Sequence, residues 1–304
     1  MPHDVLPLHR EPDCTLQVHR WLPDAPPRAV ILLSHGMADH AGRYGHLGEA
    51  LTAAGMALYG HDQRGHGLSA GPDDLGLFAA HDGWAKVVGD IDALAVLALH
   101  AHPDTPLFLL GHSMGSYIAQ AYLTTVGVPL RGAILSGSNY QPPGLYRAAA
   151  LIAAAERLRQ GPRGRSRLIE WLSFGTFNNA FKPTRTNFDW LSRDEHQVDR
   201  YIADPLCGFR CTNQLWLDLL GGLQHISQPR NLARIDADLP LLIIGGQCDP
   251  VSAGKRLKHL ADALRGSGKR NVQLNLYTAA RHELFNEINR DQVIADLIAW
   301  LDTQ

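Results

Sequence analysis

Leu107-Phe108-Leu109-Leu110-Gly111-His112-Ser113-Met114-Gly115 is the stretch on which the reading of this chain turns. Leu107 to Leu110 is a short apolar run of the kind found in buried strands. Ser116 to Val126, with Ala119, Ala121 and Leu123, reads as a helix. A strand, a sharp turn and a helix with serine at the apex present a hydroxyl for nucleophilic attack. Such a turn strains the serine backbone and leaves no room for side chains two positions away, hence Gly111 and Gly115. The helix aims its N-terminus at negative charge forming near Ser113. A Gly-x-Ser-x-Gly pentapeptide also arises by chance in a glycine-rich chain. The flanking strand and helix set this one apart, and the base, acid and oxyanion donors must come from elsewhere in the chain.

The 304 residues suffice for one large α/β domain with an insertion. Hydrophobic residues make up 45% and charged residues 19%, a balance that supports a sizeable core. A formal net charge of −2 provides no strong field for nucleic acid. The 16 histidines are scattered rather than clustered as metal ligands. Cys207 and Cys211 are four apart with no second Cys/His pair nearby, which argues against zinc. Nothing demands a disulfide, and the N-terminus lacks an apolar core of signal-peptide length. No run approaches the ~18 apolar residues of a membrane span. The expectation is a cytoplasmic protein.

Strand and helix alternate along the chain. Asp13 to Leu22 reads as an edge strand, and Ala29 to Ser34 as a strand buried on both faces of a parallel sheet. Tyr44 to Ala54 reads as a helix stopped by Gly55, and Met56 to Tyr59 as a strand. Asp82 stands where an N-cap belongs, ahead of a helix over Trp84 to Ala101. Strands at Ala133 to Ser136, Leu239 to Gly245 and Val272 to Tyr277 and helices at Ala253 to Leu264 and Ile288 to Leu301 complete the pattern. The pattern is broken after Asn139 by Gln141-Pro142-Pro143-Gly144, and no core strand is evident until about Ser227. The expectation is a mostly parallel sheet flanked by helices, built from residues 1–140 and 228–304, with a helical insertion over 141–227.

In open parallel sheets, reactive groups gather beyond the carboxyl ends of the strands. The strand ending at Gly245 leads into Gln247-Cys248-Asp249-Pro250, and the strand ending at Tyr277 leads into Arg281-His282-Glu283. Serine needs an imidazole to take its proton, and the imidazole needs a carboxylate to set its tautomer. Ser113, Asp249 and His282 therefore stand as nucleophile, acid and base in the chain order of this architecture. The oxyanion hole requires backbone N–H groups. Met114 follows the serine, and Met37 lies in the loop after the Ala29 to Ser34 strand.

With these residues in view, the chain resembles the monoacylglycerol lipase and lysophospholipase branch of the α/β-hydrolases. The blocks that carry the likeness are His35-Gly36-Met37-Ala38-Asp39-His40 with Arg43-Tyr44, Asp62-x-Arg64-Gly65-His66-Gly67-x-Ser69, Gly111 to Gly115, Asp249-Pro250-Val251 and His282-Glu283. The resemblance implies a serine ester hydrolase with an α/β-hydrolase fold and a helical cap over the site. It implies no cofactor and no metal, and a monoacylglycerol, a lysophospholipid or a similar small acyl ester as substrate. It also implies that Asp62, Arg64 and His66 are structural.

The insertion carries Trp171, Phe174, Phe177, Phe181, Phe188, Trp190 and Trp216, most of which are assigned to packing and a few to an acyl tunnel. Leu215 to Leu223 reads as an amphipathic helix facing the serine. Arg157, Arg159, Arg163, Arg165 and Arg167 read as a solvated loop, or else as a peripheral membrane contact through the cap. Cys248 reads as a small buried residue. Two other functions fit less well. An aminopeptidase would need acids such as Asp194, Glu195 or Asp199 to hold a free amine, and a non-catalytic interaction protein would be expected to have lost a member of the Ser-His-Asp set.

Overall fold

A computed structural model describes residues 3–12, 14–71, 73–252 and 255–304. Eight strands form one sheet: β1 (His3–Glu11), β2 (Cys14–Trp21), β3 (Val30–Ser34), β4 (Ala57–His61), β5 (Leu107–His112), β6 (Gly132–Ser136), β7 (Leu241–Gly246) and β8 (Val272–Tyr277). Their spatial order is β1-β2-β4-β3-β5-β6-β7-β8. Strands β3 to β8 run parallel, and β1 and β2 join antiparallel at one margin. The continuous apolar runs have a direct cause. On β3, Val30 and Leu32 enter the core on one face of the sheet while Ile31 and Leu33 enter the core on the other. Both faces are covered, so Val30 to Leu33 are all apolar and only Ser34, at the end of the strand, is polar.

The structure corrects the margin of the sheet. The strand expected at the edge is β2, but β1 pairs outside it from His3↔Trp21 to Glu11↔Cys14. The alternating exposure of β1 and its Pro7 gave it no buried-strand signature. The expected start at Asp13 lies outside the described residues, as does the helix start at Ala253.

Ten helices are described: α1 (Gly45–Ala53), α2 (Gly83–Ala101), α3 (Met114–Leu123), α4 (Pro143–Gln160), α5 (Arg167–Phe174), α6 (Glu195–Ala203), α7 (Asn213–Ile226), α8 (Pro229–Leu232), α9 (Lys255–Gly266) and α10 (Arg290–Leu301). Gly55 ends α1 with φ of 74°, the left-handed stop its position predicts. Asp82 precedes α2 but caps it with no side-chain hydrogen bond, and its φ of 55° turns the chain into the helix instead. None of the described helices is long and apolar enough to cross a membrane.

Between β6 and β7 the described residues contain helices and turns but no strand. Helices α4 and α7 pack on each other, and α7 also meets α2 and α3. Two arginines stitch this segment to the loop before α2. Arg163 donates to Asp73 O and Asp74 Oδ1 (2.8 and 3.0 Å), and Arg165 donates to Leu75 O (2.7 Å). Arg163 and Arg165 are thus tied to the protein, while all five arginines of the basic run remain exposed to solvent.

Candidate active site

The turn after β5 places Ser113 ahead of α3 with φ 51° and ψ −119°, a conformation that only glycine adopts without strain. Ser113 N donates to Ser136 O at 2.9 Å, and Ser116 Oγ donates to Ser113 O at 2.6 Å. The two glycines are needed for close approach. A methyl on Gly115 would overlap the carbonyls of Ser34 and His35, and one on Gly111 would lie 2.5 Å from Gly115 O.

His282 arrives on the loop after β8 and Asp249 on the loop after β7. Asp249 Oδ2 lies 3.0 Å from His282 Nδ1, and both side chains are buried. Neither atom has another partner. Asp249 Oδ1 accepts from Val251 N at 2.9 Å, which anchors the carboxylate. Burial by itself would depress the His282 pKa, but the charge of Asp249, with smaller help from Glu283 and Asp39, outweighs it and raises the pKa above the usual histidine value. A second imidazole, His112, lies 4.8 Å away ring to ring and bonds Ser136 Oγ at 3.1 Å. Burial lowers the pKa of His112 to about 4, which keeps it neutral beside His282. Trp190, from the helical segment, lies 5.2 Å from His282 ring to ring.

Met37 is on the cavity wall in the loop after β3, and Met114 opens α3 with its side chain buried. The first amides of a helix have no partner within it, so Met114 N is available for an incoming anion. The Met37 loop is held at its root. Gln63 N donates to His35 Nε2 (2.9 Å), and Gln63 Nε2 donates to His35 O (2.6 Å). Farther along, Arg43 forks onto Glu283 (2.8 and 2.7 Å), reaches Asp39 (2.9 Å) and lies over the Tyr201 ring at 4.8 Å. One guanidinium thus joins the Met37 loop, the His282 loop and α6. Asp62, Arg64 and His66 lie behind this layer: Asp62 accepts from Ala41 N and Leu68 N, and Arg64 pairs with Asp90. None of these three lines the cavity.

Ser113 and His282 share a cavity of about 620 Å³. Its apolar wall includes Trp171, Phe174, Phe188, Trp190, Leu191 and Trp216. More of the aromatics thus face the cavity than expected, whereas Phe177 packs on Phe174 and Trp190, and Phe181 stacks on Arg281. From α7 only Trp216 reaches this wall; Leu215, Leu219, Leu220 and Leu223 are buried in the main core instead. Asp194 pairs with Arg290, and Glu195 and Asp199 pair with Arg185, all off the cavity wall. The carboxylates on the wall are also occupied: Asp39 and Glu283 by Arg43, and Glu170 by Arg210. Cys248 is exposed, contrary to its expected burial, because the turn between β7 and Asp249 faces outward.

Asp39, Arg43 and Glu283 stand within the sequence motifs, and Gln63 in the loop after β4, with nothing local to assign any of them a role. Their partners lie far apart along the chain, 240 positions in the case of Arg43 and Glu283. A buried arginine beside two acids is visible only after folding.

The family model described as serine aminopeptidase, S33, matches residues 25–289. A monoacylglycerol lipase of Mycolicibacterium smegmatis is 33% identical over 288 residues, covering 92% of this chain and 90% of its own length. The monoglyceride lipase of Mus musculus is 26% identical over 288 residues, covering 92% of this chain and 84% of its own length. A thermostable carboxyl esterase from Bacillus coagulans, solved with glycerol, superposes with a TM-score of 0.87 at 24% identity, over 100% of this chain and 99% of that one.

Proposed function

The chain belongs to the serine aminopeptidase, S33, family, and with that membership as premise we propose that it cleaves monoacylglycerols or closely related acyl esters through a Ser113–His282–Asp249 triad. It is a monoacylglycerol lipase-like α/β-hydrolase and a carboxylic ester hydrolase. Ser113 Oγ attacks the acyl carbonyl while His282 Nε2 takes its proton, and Asp249 stabilises the imidazolium from Nδ1. Met37 N and Met114 N hold the oxyanion. The tetrahedral intermediate collapses, His282 returns the proton to the departing alcohol, and the acyl group stays on Ser113. Water, deprotonated by His282, then releases the fatty acid. Residues 141–227 act as a cap whose aromatic wall receives the acyl chain.

The observation that supports this most directly is that Ser113 and the buried His282–Asp249 pair meet at one aromatic-walled cavity. The acids on that wall speak against an aminopeptidase, because each already has an arginine partner and none is free for a substrate ammonium. The cap also leaves several large apolar side chains exposed. Leu145, Leu151, Ile152 and Leu158 on α4 and Leu168, Trp171 and Leu172 on α5 are exposed, and Trp171 also lines the cavity. We assign these exposed apolar side chains to peripheral contact with the lipid surface that supplies the substrate.

A fluorophosphonate probe and a panel of p-nitrophenyl esters and aminoacyl-nitroanilides test the reading. Wild type is expected to be labelled and to prefer medium or long acyl esters. Ser113→Ala is expected to lose labelling and at least ~10⁴ in kcat. Equal labelling of Ser113→Ala, or faster anilide than ester cleavage, would overturn it.

A further inference from the structure

Outside the cavity wall, three side chains of different chemistry converge. His40 comes from the loop after β3, and Asp204 and Cys207 from the turn between α6 and α7. His40 Nε2 lies 2.9 Å from Asp204 Oδ2, although the two residues are 164 positions apart. The donor atoms of His40, Asp204 and Cys207 all lie within 4.8 Å of one another, and they are the only such group among the described residues. From this geometry we propose that His40, Asp204 and Cys207 form a zinc site that staples the helical segment to the loop carrying Met37.

The donor set is the one zinc favours: an imidazole nitrogen, a thiolate sulfur and a carboxylate oxygen. Bond lengths of about 2.0–2.3 Å place tetrahedral ligand atoms roughly 3.3–3.8 Å apart, so the ion enters by a small spreading of the His40–Asp204 contact while any donor pair near the 4.8 Å limit draws together. The turn is already held in shape. Asp204 Oδ1 accepts from Leu206 N at 2.8 Å, and Asp204 O accepts from Cys207 N at 3.0 Å. Support of this kind fixes ligands before the metal arrives. The Asp204 side chain is 29% exposed, so the fourth position opens to water. Arg43 lies nearby, but Asp39 and Glu283 offset its charge. Binding displaces the Cys207 thiol proton to solvent and leaves every oxidation state unchanged.

The staple would close an existing seam. Gly208 N and Tyr201 Oη both donate to Ala38 O, at 3.0 and 3.1 Å. Zinc two residues farther along would tie the same loop to the same turn by a stronger bond. The cysteine spacing gave no hint of it, because the partners of Cys207 are not Cys211 and a local histidine but a residue from the other end of the fold.

Cobalt titration of the full chain tests the site without reference to hydrolysis. One equivalent of Co²⁺ is expected to produce a thiolate-to-cobalt charge-transfer band that zinc abolishes. Cys207→Ser and His40→Gln should each lose the band and weaken zinc binding at least tenfold. Cys211→Ser, Cys248→Ser and His282→Ala should retain it. Zinc should raise the melting temperature of wild type but not of Cys207→Ser, whose own melt without metal shows whether it is folded. The absence of a band in wild type, its survival in folded Cys207→Ser, or its loss in Cys248→Ser or His282→Ala would overturn the assignment.

Discussion

His282 sits fully buried beside one carboxylate at contact distance and two more within electrostatic reach. Its sequence alone suggests an ordinary histidine and an activity that falls below about pH 6. The structure moves that limit upward. Burial disfavours the cation, but Asp249, Glu283 and Asp39 together favour it more, so the pKa is raised. In the proposed mechanism His282 must be neutral to accept the Ser113 proton, and a raised pKa keeps it protonated to higher pH. The acid limb of kcat/KM should therefore fall above about 6.5. Glu283→Gln removes one of the charges that raise it and should shift the limb downward. Rate profiles on a short soluble ester measure both. A wild-type limb at or below 6.5, or an unmoved limb in Glu283→Gln, would contradict this account of the base.

At the scale of elements, α4 and α5 present an unusual surface. Leu151 is 74% exposed, Leu158 86% and Trp171 63%, far more than a helix normally leaves to water once its apolar face is packed. The arginines between them were candidates for binding anionic headgroups. Arg159 is paired with Glu156, however, and Arg163 and Arg165 hold the loop before α2. Lipid contact should therefore be driven mainly by apolar area. Flotation with neutral and with anionic liposomes should recover similar amounts of wild type, and Trp171→Ser/Leu172→Ser should lower both. Recovery that depends steeply on anionic lipid, or that the double substitution leaves unchanged, would refute the apolar reading.

At the scale of the whole molecule, one core runs through the sheet and the helical segment. Leu32, Leu109 and Leu135 of the strands belong to the same buried cluster as Ala153 of α4 and Leu215, Leu219 and Leu223 of α7. Removing either part would expose the apolar face of the other. Urea unfolding followed by far-ultraviolet circular dichroism and by tryptophan fluorescence should therefore give coincident transitions. An early fluorescence transition with the sheet intact would show that the segment unfolds alone.

What could be read in the chain was what short range dictates. Ala29 to Leu33 and Leu241 to Ile244 are apolar at every position because both sheet faces are covered. Gly111 and Gly115 frame Ser113 because neighbouring backbone leaves no space for a methyl. Asp249 and His282 stood out because strand ends in a parallel sheet converge. β1 escaped notice because an edge strand exposed on one side carries no apolar run. The side of the turn that Cys248 faces, the aromatics that reach the cavity, the Arg43 brace and the meeting of His40 with Cys207 were decided by tertiary structure. Each depends on groups far apart in sequence, and no local pattern of residues records which distant partner folding will bring beside them.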